Sequence, residues 1–216
     1  MQVEKILIKK KPQTCNPKLE NYYLVRMEPQ DVIKAQLMDA RDLDRTLDRM
    51  ARQIVELIDP GSEDAASFAL VGMQTRGVYL ARRLQAKIRA VEGLDVPVGV
   101  LDATMYRDDF RRRLKQPVVR ATRIPFDVTE RHLVLVDDVL YTGRTVRAAM
   151  DALMDLGRPA SVRFLAIVDR GLRELPIRAD IVGRDVPTMP GEEVRVRLRE
   201  IDDREGVWLV ENPRAM

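Results

Sequence analysis

Two adjacent carboxylates directly follow a short apolar run, and a turn rich in threonine and glycine follows the carboxylates. The apolar run is residues 133–136, the acids are Asp137 and Asp138, and the turn leads into an amphipathic helix. Unpaired backbone N–H groups at a helix N-terminus bind phosphate, whereas paired acids suit sugar hydroxyls or a hydrated Mg²⁺. The spacing therefore predicts a site for a sugar phosphate, with the phosphate in the turn and the ribose hydroxyls on the acids.

The residues predicted to bind the sugar phosphate form one continuous segment. They are Asp137, Asp138, Val139, Leu140, Tyr141, Thr142, Gly143, Arg144 and Thr145. A glycine lets the backbone approach a phosphate closely, and threonine hydroxyls add hydrogen-bond donors. The competing interpretation is the Walker B strand of an ATPase, which also ends in acids. That class needs a Gly-x-x-x-x-Gly-Lys phosphate loop, and none of the 11 glycines precedes a lysine.

Apolar runs alternate with helical periodicity along most of the chain. The predicted strands are residues 32–38, 68–73, 96–101, 133–136 and 162–168. Helical spacing begins after Asp39, a candidate N-cap, after Gly77 and near Val146. This alternation predicts an α/β fold whose central, mostly parallel sheet is flanked by helices, with ligands at the carboxyl ends of the strands. Beyond Gly171, short β-like segments predict a small β-rich hood.

The start of the chain differs from the rest in its pattern. Residues 1–31 carry several lysines and no sustained period, which predicts a basic, flexible N-terminal extension. Residues 32–216 are expected to form a single domain, because their number suits one core. Met27 stands just before the first regular element, so we hypothesise that translation starts there, which the intact mass of the native protein tests.

The composition excludes some classes of protein and leaves others open. The single cysteine cannot form an internal disulfide, and no apolar stretch approaches the roughly 20 residues that span a bilayer. We therefore expect a cytoplasmic protein. With 37 basic and 34 acidic residues, the net charge of +3 does not by itself indicate nucleic-acid binding. Clusters of arginine matter more, although such clusters are often only a solvated surface.

Three segments together resemble the type I phosphoribosyltransferases. Residues 136–145 resemble their signature for 5-phosphoribosyl pyrophosphate (PRPP), and residues 71–77 resemble their pyrophosphate loop, where a cis peptide bond is common. Tyr106, Arg107, Asp108 and Asp109 resemble the start of the mobile loop that closes over PRPP, and residues 108–123 read as a long loop or an extended hairpin. The resemblance implies the type I phosphoribosyltransferase fold, with Mg²⁺ as the cofactor that accompanies PRPP.

Residues 168–180 indicate the subfamily. They resemble the regulators of pyrimidine operons that act by transcription attenuation and also have uracil phosphoribosyltransferase activity. The resemblance implies transfer of ribose 5-phosphate from PRPP to N1 of uracil, which gives UMP and pyrophosphate. Hypoxanthine, guanine and orotate stay open as alternative bases. No histidine base is required, and His132, the single histidine, is predicted to be structural.

The same resemblance implies roles for individual residues. Arg76 and Arg107, with Mg²⁺, are expected to stabilise the leaving pyrophosphate, while Asp137 and Asp138 hold the ribose and, through water, the metal. These four residues are the predicted catalytic set. The further residues expected to bind substrates are Thr75, Gly77, Tyr106, Asp108, Asp109, Val168 and Arg170. Uracil is expected near residues 168–170 and 181–183.

Members of this subfamily bind a stem-loop in the leader mRNA of a pyrimidine operon when UMP is present. The arginines expected to contact that RNA are Arg45, Arg49, Arg52, Arg173, Arg178 and Arg184. One alternative is that Asp44 and Asp48 pair with the arginines of the first helix as surface salt bridges, and another is a purely metabolic enzyme. Leu172 and Arg52 stand where the family commonly has histidine. The resemblance also implies a homodimer or a higher homo-oligomer.

Overall fold

The computed structural model describes residues 32–58, 67–108 and 121–211. In chain order the elements are β1 (Val32–Met38), α1 (Ala40–Ile58), β2 (Phe68–Met73), α2 (Arg76–Glu92), β3 (Val98–Leu101), a 3-10 helix (Thr104–Tyr106), β4 (His132–Leu140), α3 (Arg144–Leu156), β5 (Ser161–Asp169), β6 (Ile181–Asp185), β7 (Glu192–Arg197) and β8 (Gly206–Glu211). Within these ranges, every helix is too short or too polar to cross a membrane. The predicted N-terminal extension, residues 1–31, lies outside the described residues.

Five strands form the central sheet in the order β3-β2-β4-β5-β6, and every neighbouring pair is parallel. Successive residues of a strand point to opposite faces, so an apolar strand can contribute to two cores. In β4, Val134 and Val136 belong to the core shared with α1 and α2, whereas Leu133 and Leu135 belong to the core shared with α3. The predicted α/β fold, a parallel sheet between helices, is confirmed.

β1, β8 and β7 form a separate antiparallel sheet, which is the predicted hood. β1 has the predicted bounds but joins this sheet rather than the parallel one. Val32 and Ile33 are 54% and 50% exposed, whereas a strand inside a parallel sheet is buried on both faces. The apolar pattern of β1 suits either sheet, so the sequence alone does not distinguish them.

β4 is longer than predicted, because it continues past residue 136 to Leu140. Asp137, Val139 and Leu140 all pair with residues of β5. The acids interrupt the apolar pattern, so periodicity ends the strand too early. The acid pair therefore lies on hydrogen-bonded backbone inside the sheet, where side chains are held more firmly than on a loop.

Two glycines allow β2, α2 and β4 to approach each other closely around the acid pair. A Cβ on Gly77 would lie 2.3 Å from the carbonyl oxygen of Val136, and a Cβ on Gly72 would lie 2.5 Å from the Cα of Val78. Both neighbours are backbone atoms, which cannot rotate aside, so only glycine fits at these positions. This packing places the start of α2 against β4 at the residue that precedes Asp137.

Replacing Gly77 with alanine is expected to lower the free energy of unfolding by about 1–3 kcal/mol or more, because α2 has to move away from β4. Denaturant unfolding measures this loss. Gly99→Ala is the matched control, since its Cβ would meet the side chains of Ile124 and Phe126 at 3.1 and 3.3 Å, and those side chains can shift. Equal losses in the two variants would contradict the importance of the backbone contact.

Candidate active site

Asp137 and Asp138 have their carboxylates oriented by neighbouring backbone N–H groups. The Asp138 N–H donates to Oδ1 of Asp137 at 2.9 Å, and the Val139 N–H donates to Oδ1 of Asp138 at 3.0 Å. Asp137 is 9% exposed, and Asp138 is half-buried. Two carboxylates are thus held side by side at the carboxyl end of the central strand.

Burial raises the pKa of the Asp137 carboxyl well above its ordinary value of 3.8, and repulsion from Asp138 raises it further. Burial also raises the pKa of Asp138, although a hydrogen bond with Asp137 and the charge of Arg76 act in the opposite direction. The pair therefore favours a ligand that brings hydrogen-bond donors or positive charge. Ribose hydroxyls and a hydrated Mg²⁺ meet that requirement.

A cavity of about 640 Å³ lies directly after the acid pair. Its lining residues are Arg107, Asp108, Val139, Leu140, Tyr141, Thr142, Gly143, Arg144, Thr145, Val146 and Glu174. Gly143 has a φ of 88°, which favours glycine, and α3 begins at the next residue. The first N–H groups of α3 and the positive end of its dipole therefore adjoin the cavity. The structure gathers residues 139–145 of the predicted segment into one concave site, whereas Asp137 and Asp138 precede its lining residues in β4.

Arg144 lines the cavity and forms ion pairs with two acids that line it too. Its Nη1 donates to Asp108 and its Nε donates to Glu174, each at 2.5 Å. The hydrogen bond to Glu174, followed by the one to Asp108, raises the pKa of the guanidinium group. The Arg144 side chain is 40% exposed, so water screens these ion pairs and a phosphate can replace them at little cost.

The first residues of α2, the predicted Arg76 and Gly77, lie next to the acid pair, and the predicted Thr75 directly precedes them at the end of the loop after β2. The peptide bond before Thr75 is cis, as the family resemblance implies for this loop. Gly77 packs on β4, and the charge of Arg76 acts on Asp138. Arg76 donates from Nε and Nη2 to Asp202, at 3.2 and 2.8 Å. Arg76 therefore connects the hood to the acid pair.

Arg107 reaches the cavity, whereas its neighbour Tyr106 points elsewhere. The Nη1 of Arg107 donates to the hydroxyl of Thr145 at 3.0 Å, and its charge lowers the pKa of Asp137 against the larger effects of burial and repulsion. The Tyr106 hydroxyl donates to Asp155 at 2.6 Å, near the last turn of α3. Of these two predicted residues, the structure brings only Arg107 to the acid pair.

Both ends of the polar segment after β3 are tied to the sheet. Val100 and Arg123 exchange two backbone hydrogen bonds, each 2.8 Å long. The Asp102 N–H donates to the hydroxyl of Thr122 at 3.0 Å. Residues 100–102 and 122–123 therefore lie side by side. Asp109, which was also predicted to bind substrate, and the rest of residues 109–120 lie outside the described residues.

Val168 and Arg170 are buried behind the cavity rather than among its lining residues. The guanidinium carbon of Arg170 lies 3.9 Å from the centroid of the Tyr141 ring, which is within the range of a cation–π interaction. Its Nε donates to the Thr188 hydroxyl at 3.1 Å, and its Nη2 donates to the carbonyl oxygen of Glu192 at 2.5 Å. Burial lowers the pKa of this guanidinium group. Arg170 thus supports the Tyr141 ring, which does line the cavity.

Comparison with known sequences identifies the family. The model of the phosphoribosyl transferase domain matches residues 35–200. The bifunctional protein PyrR of Pelotomaculum thermopropionicum is 53% identical over 178 residues, which cover 82% of this chain and 96% of that protein. The bifunctional protein PyrR of Thermus aquaticus is 55% identical over 177 residues, which cover 81% and 96%. The chain belongs to the PyrR family of phosphoribosyltransferases.

Solved structures of hypoxanthine phosphoribosyltransferases share the fold of this PyrR family member. The enzyme from Staphylococcus aureus gives a TM-score of 0.61 at 15% identity and covers 85% of this chain and 96% of its own. A point mutant of the enzyme from Trypanosoma cruzi, in a ternary substrates complex, gives 0.65 at 15% identity and covers 85% and 97%. Identity this low establishes the fold alone, and that fold is the predicted one.

Three of the arginines predicted to contact RNA have contacts within this PyrR family member. Arg49 donates to two carbonyl oxygens of β6, at 3.1 and 2.6 Å, and Arg184 donates to a carbonyl oxygen of β1. Arg173 donates to the carbonyl oxygens of Tyr141 and Ile177, at 2.7 and 2.9 Å. The predicted arginines with exposed side chains and no such contact to the backbone among the described residues are Arg45, Arg52 and Arg178.

Two acids of α1, Asp44 and Asp48, pair with a lysine of α2 rather than with the arginines of their own helix. Asp44 and Asp48 form their ion pairs with Lys87 of α2, at 2.7 and 2.6 Å. The alternative explanation of the charge pattern was that these two acids form surface salt bridges with the arginines of α1. The structure pairs both acids with Lys87 instead.

The structure brings to the site two further acids that are not among the predicted residues. Glu174 lines the cavity, and its position within residues 168–180, which carry the subfamily resemblance, was the available signal. Asp202 holds Arg76 from 126 residues further along the chain. No local pattern connects two residues so far apart, so only the folded structure shows their contact.

The acid pair suits a hydrated Mg²⁺ rather than a metal bound by protein ligands alone. Across residues 32–58, 67–108 and 121–211, no group of three or more His, Cys, Asp or Glu side chains is arranged to hold a metal ion. Mg²⁺ keeps several waters and is usually held by one or two carboxylates together with substrate phosphates. Asp137 and Asp138 provide that number of carboxylates beside the cavity.

Asp137→Asn is expected to stabilise the ligand-free protein at neutral pH, because it removes a buried charge beside Asp138. A raised pKa favours the folded state below the ordinary value of 3.8, and this advantage is lost as the pH rises through the folded value. The variant should therefore melt higher at neutral pH, by about 2–4 °C for each kcal/mol of burial and repulsion cost removed, and the gain should shrink in acid. Thermal melts between acid and neutral pH measure it, and a variant that melts lower at every pH would contradict the prediction.

Proposed function

We propose that this protein is a uracil phosphoribosyltransferase that also regulates a pyrimidine operon by binding its leader mRNA in response to UMP. The proposal depends on one observation, the buried acid pair of β4 beside the cavity at the start of α3. The PyrR relatives are called bifunctional proteins, and the resemblance carried by residues 168–180 implies which two functions are combined.

The reaction demands that charge be stabilised at two places. The bond from C1′ of PRPP to pyrophosphate breaks, and N1 of uracil bonds to C1′ while its proton is released. Positive charge develops on the ribose ring and negative charge on the pyrophosphate, as in other glycosyl transfers. We assign no histidine to this chemistry. His132 lies at the opposite end of β4 from the acids, with its Nδ1 2.7 Å from the Ser161 hydroxyl.

We assign the 5′-phosphate of PRPP to the segment from Tyr141 to Thr145. The N–H groups at the start of α3 and the hydroxyls of Thr142 and Thr145 are donors around a cavity of suitable size. Arg144 supplies a cation there. We infer that the phosphate replaces Asp108 and Glu174 as the ion-pair partner of Arg144.

We assign the ribose hydroxyls to Asp137 and Asp138. Burial raises the pKa of both carboxyls, and repulsion from Asp138 adds to this effect at Asp137, so two hydroxyl donors would stabilise the ionised pair. The negative charge of the pair would in turn stabilise the cationic ring of the transition state. When bound with PRPP through these acids and water, Mg²⁺ would supply positive charge for the pyrophosphate oxygens. The carboxylates themselves hold the sugar in line for attack by N1.

We assign the pyrophosphate to Thr75, at the end of the loop after β2, and to Arg76 and Gly77, which begin α2 beside the acid pair. Arg107, whose charge acts on Asp137, is already hydrogen-bonded to Thr145 at 3.0 Å. The positive charges of Arg76 and Arg107 would stabilise the pyrophosphate anion as its bond to C1′ breaks. We place uracil near Val168 and Arg170, where the Tyr141 ring forms part of the cavity wall.

We infer that the regulatory function uses the exposed arginines Arg45, Arg52 and Arg178. Arginine contacts RNA phosphates and stacks on unpaired bases, which suits a stem-loop. Leu172, which stands in place of the histidine common in the family, has an exposed side chain at a φ of 56°. We also propose that the protein works in the cytoplasm as a homodimer or a higher homo-oligomer.

The first experiment is a panel of uracil, hypoxanthine, guanine and orotate, each with PRPP and Mg²⁺. Uracil is expected to be the base consumed. Asp138→Asn and Arg76→Ala should each lower its turnover by about a hundredfold or more, the usual scale for removing one preorganised electrostatic partner. Arg158→Ala, a change of an exposed arginine just before β5, should turn over normally. Near-normal rates in the first two variants would refute the site, and another preferred base would refute the uracil assignment.

The second experiment measures binding to a pyrimidine leader RNA by electrophoretic shift, with and without UMP. Binding is expected to require UMP and to weaken steeply with salt. Arg52→Ala should reduce the slope of log affinity against log salt by about one, the change expected from one lost phosphate contact, whereas Arg158→Ala should leave the slope unchanged. If the protein did not bind the RNA at low salt, the regulatory function would be refuted and only the metabolic enzyme would remain.

A further inference from the structure

Asp202 is a nearly buried carboxylate in the turn between β7 and β8, with a side chain that is 8% exposed. It accepts hydrogen bonds from Nε and Nη2 of Arg76, at 3.2 and 2.8 Å. It also accepts them from Nη1 of Arg197 at 3.1 Å and from the Leu198 N–H at 2.9 Å. The hood thus reaches the start of α2 through one carboxylate.

The contact with Asp202 fixes the plane of the Arg76 guanidinium group. Two parallel N–H···O bonds to one carboxylate determine both the position and the rotation of the group. Asp202 occupies the edge formed by Nε and Nη2, so we infer that a ligand would bind through Nη1. The charge of Arg76 acts on Asp138, so the group lies within electrostatic range of the acid pair.

We propose that Asp202 is a positioning residue of the pyrophosphate subsite, which holds Arg76 in the orientation that pyrophosphate requires. This inference rests on the proposed function for the identity of the ligand. It assigns the turn between β7 and β8 to the transferase site, although that turn does not line the cavity beside α3.

A charge argument alone gives the opposite expectation, which makes the proposal testable. Although burial acts to raise it, hydrogen bonds from Arg76, Leu198 and Arg197 together lower the pKa of Asp202, so the group is ionised at neutral pH. Removing the negative charge of Asp202 would strengthen the attraction for pyrophosphate if charge were all that mattered. Loss of a positioning contact would weaken binding instead.

Glu200 provides a matched control in the same turn. It accepts hydrogen bonds from Nε and Nη2 of Arg83, at 2.8 and 2.7 Å, and Arg83 also belongs to α2. Glu200→Gln therefore makes the same chemical change as Asp202→Asn and weakens a similar tie between the hood and α2. It leaves the contact of Arg76 unchanged, so it isolates any effect of a loosened hood.

The experiment is calorimetric titration of each variant with inorganic pyrophosphate and Mg²⁺, after thermal melts have confirmed folding. Asp202→Asn is expected to weaken pyrophosphate binding by about tenfold or more, because a misplaced group loses much of its effect. Glu200→Gln should bind like the unmodified protein. Unchanged or tighter binding by Asp202→Asn, or an equal loss in both variants, would overturn the proposal.

A double-mutant comparison tests whether Asp202 acts through Arg76. In an Arg76→Ala background, Asp202→Asn should cause no further loss of pyrophosphate affinity. Additive losses would show that Asp202 does not act through Arg76. With PRPP and uracil, Asp202→Asn should raise KM for PRPP and leave KM for uracil unchanged. If the unmodified protein did not consume uracil but the pyrophosphate titrations behaved as expected, the proposed base would fail while the role of Asp202 stood.

Discussion

The site depends on the contact between Gly77 and the carbonyl oxygen of Val136. A side chain at residue 77 would collide with that oxygen, so the close approach of α2 to β4 exists only because the residue is glycine. The parallel register of β2 and β4, in which Gly72 pairs with Val136, then places the loops of both strands at the same edge of the sheet. Arg76 at the start of α2 and the phosphate pocket at the start of α3 are therefore both placed beside the same acid pair, Asp137 and Asp138.

Most of the fold follows from the period of the apolar residues. The bounds of β1 and β2 agree with the predicted ones, and Asp39 caps α1 by accepting the Asp42 N–H at 2.7 Å. The prediction is wrong where polarity or topology overrides the pattern. β4 continues through its acids because β5 continues to pair with it, and β1 pairs with β8 in the hood. A strand's own residues carry little information about which neighbour it takes.

The residues of the candidate site are likewise predictable from the sequence only in part. The segment from Asp137 to Thr145 is local, so its role can be read from residue types and spacing. Contacts between distant residues cannot be read in this way, and arginine shows why. Arg173 and Arg144 look alike in the sequence, yet Arg173 binds backbone carbonyl oxygens and Arg144 lines the cavity. The number of donors on an arginine does not reveal whether they face protein, ligand or solvent.

The pairing of Val32 with Glu211 unites the two ends of the described chain in one sheet. A ribosome releases the chain from its amino end, so β1 emerges early and has to wait for β8 before it gains a partner. The parallel core can pack during that interval, because its five strands all precede β7. Folding of the protein therefore ends when β1 pairs with β8 and completes the hood. A nascent chain that stalled before its last strand would carry the phosphate segment complete, but β1 would remain an unpaired edge open to aggregation.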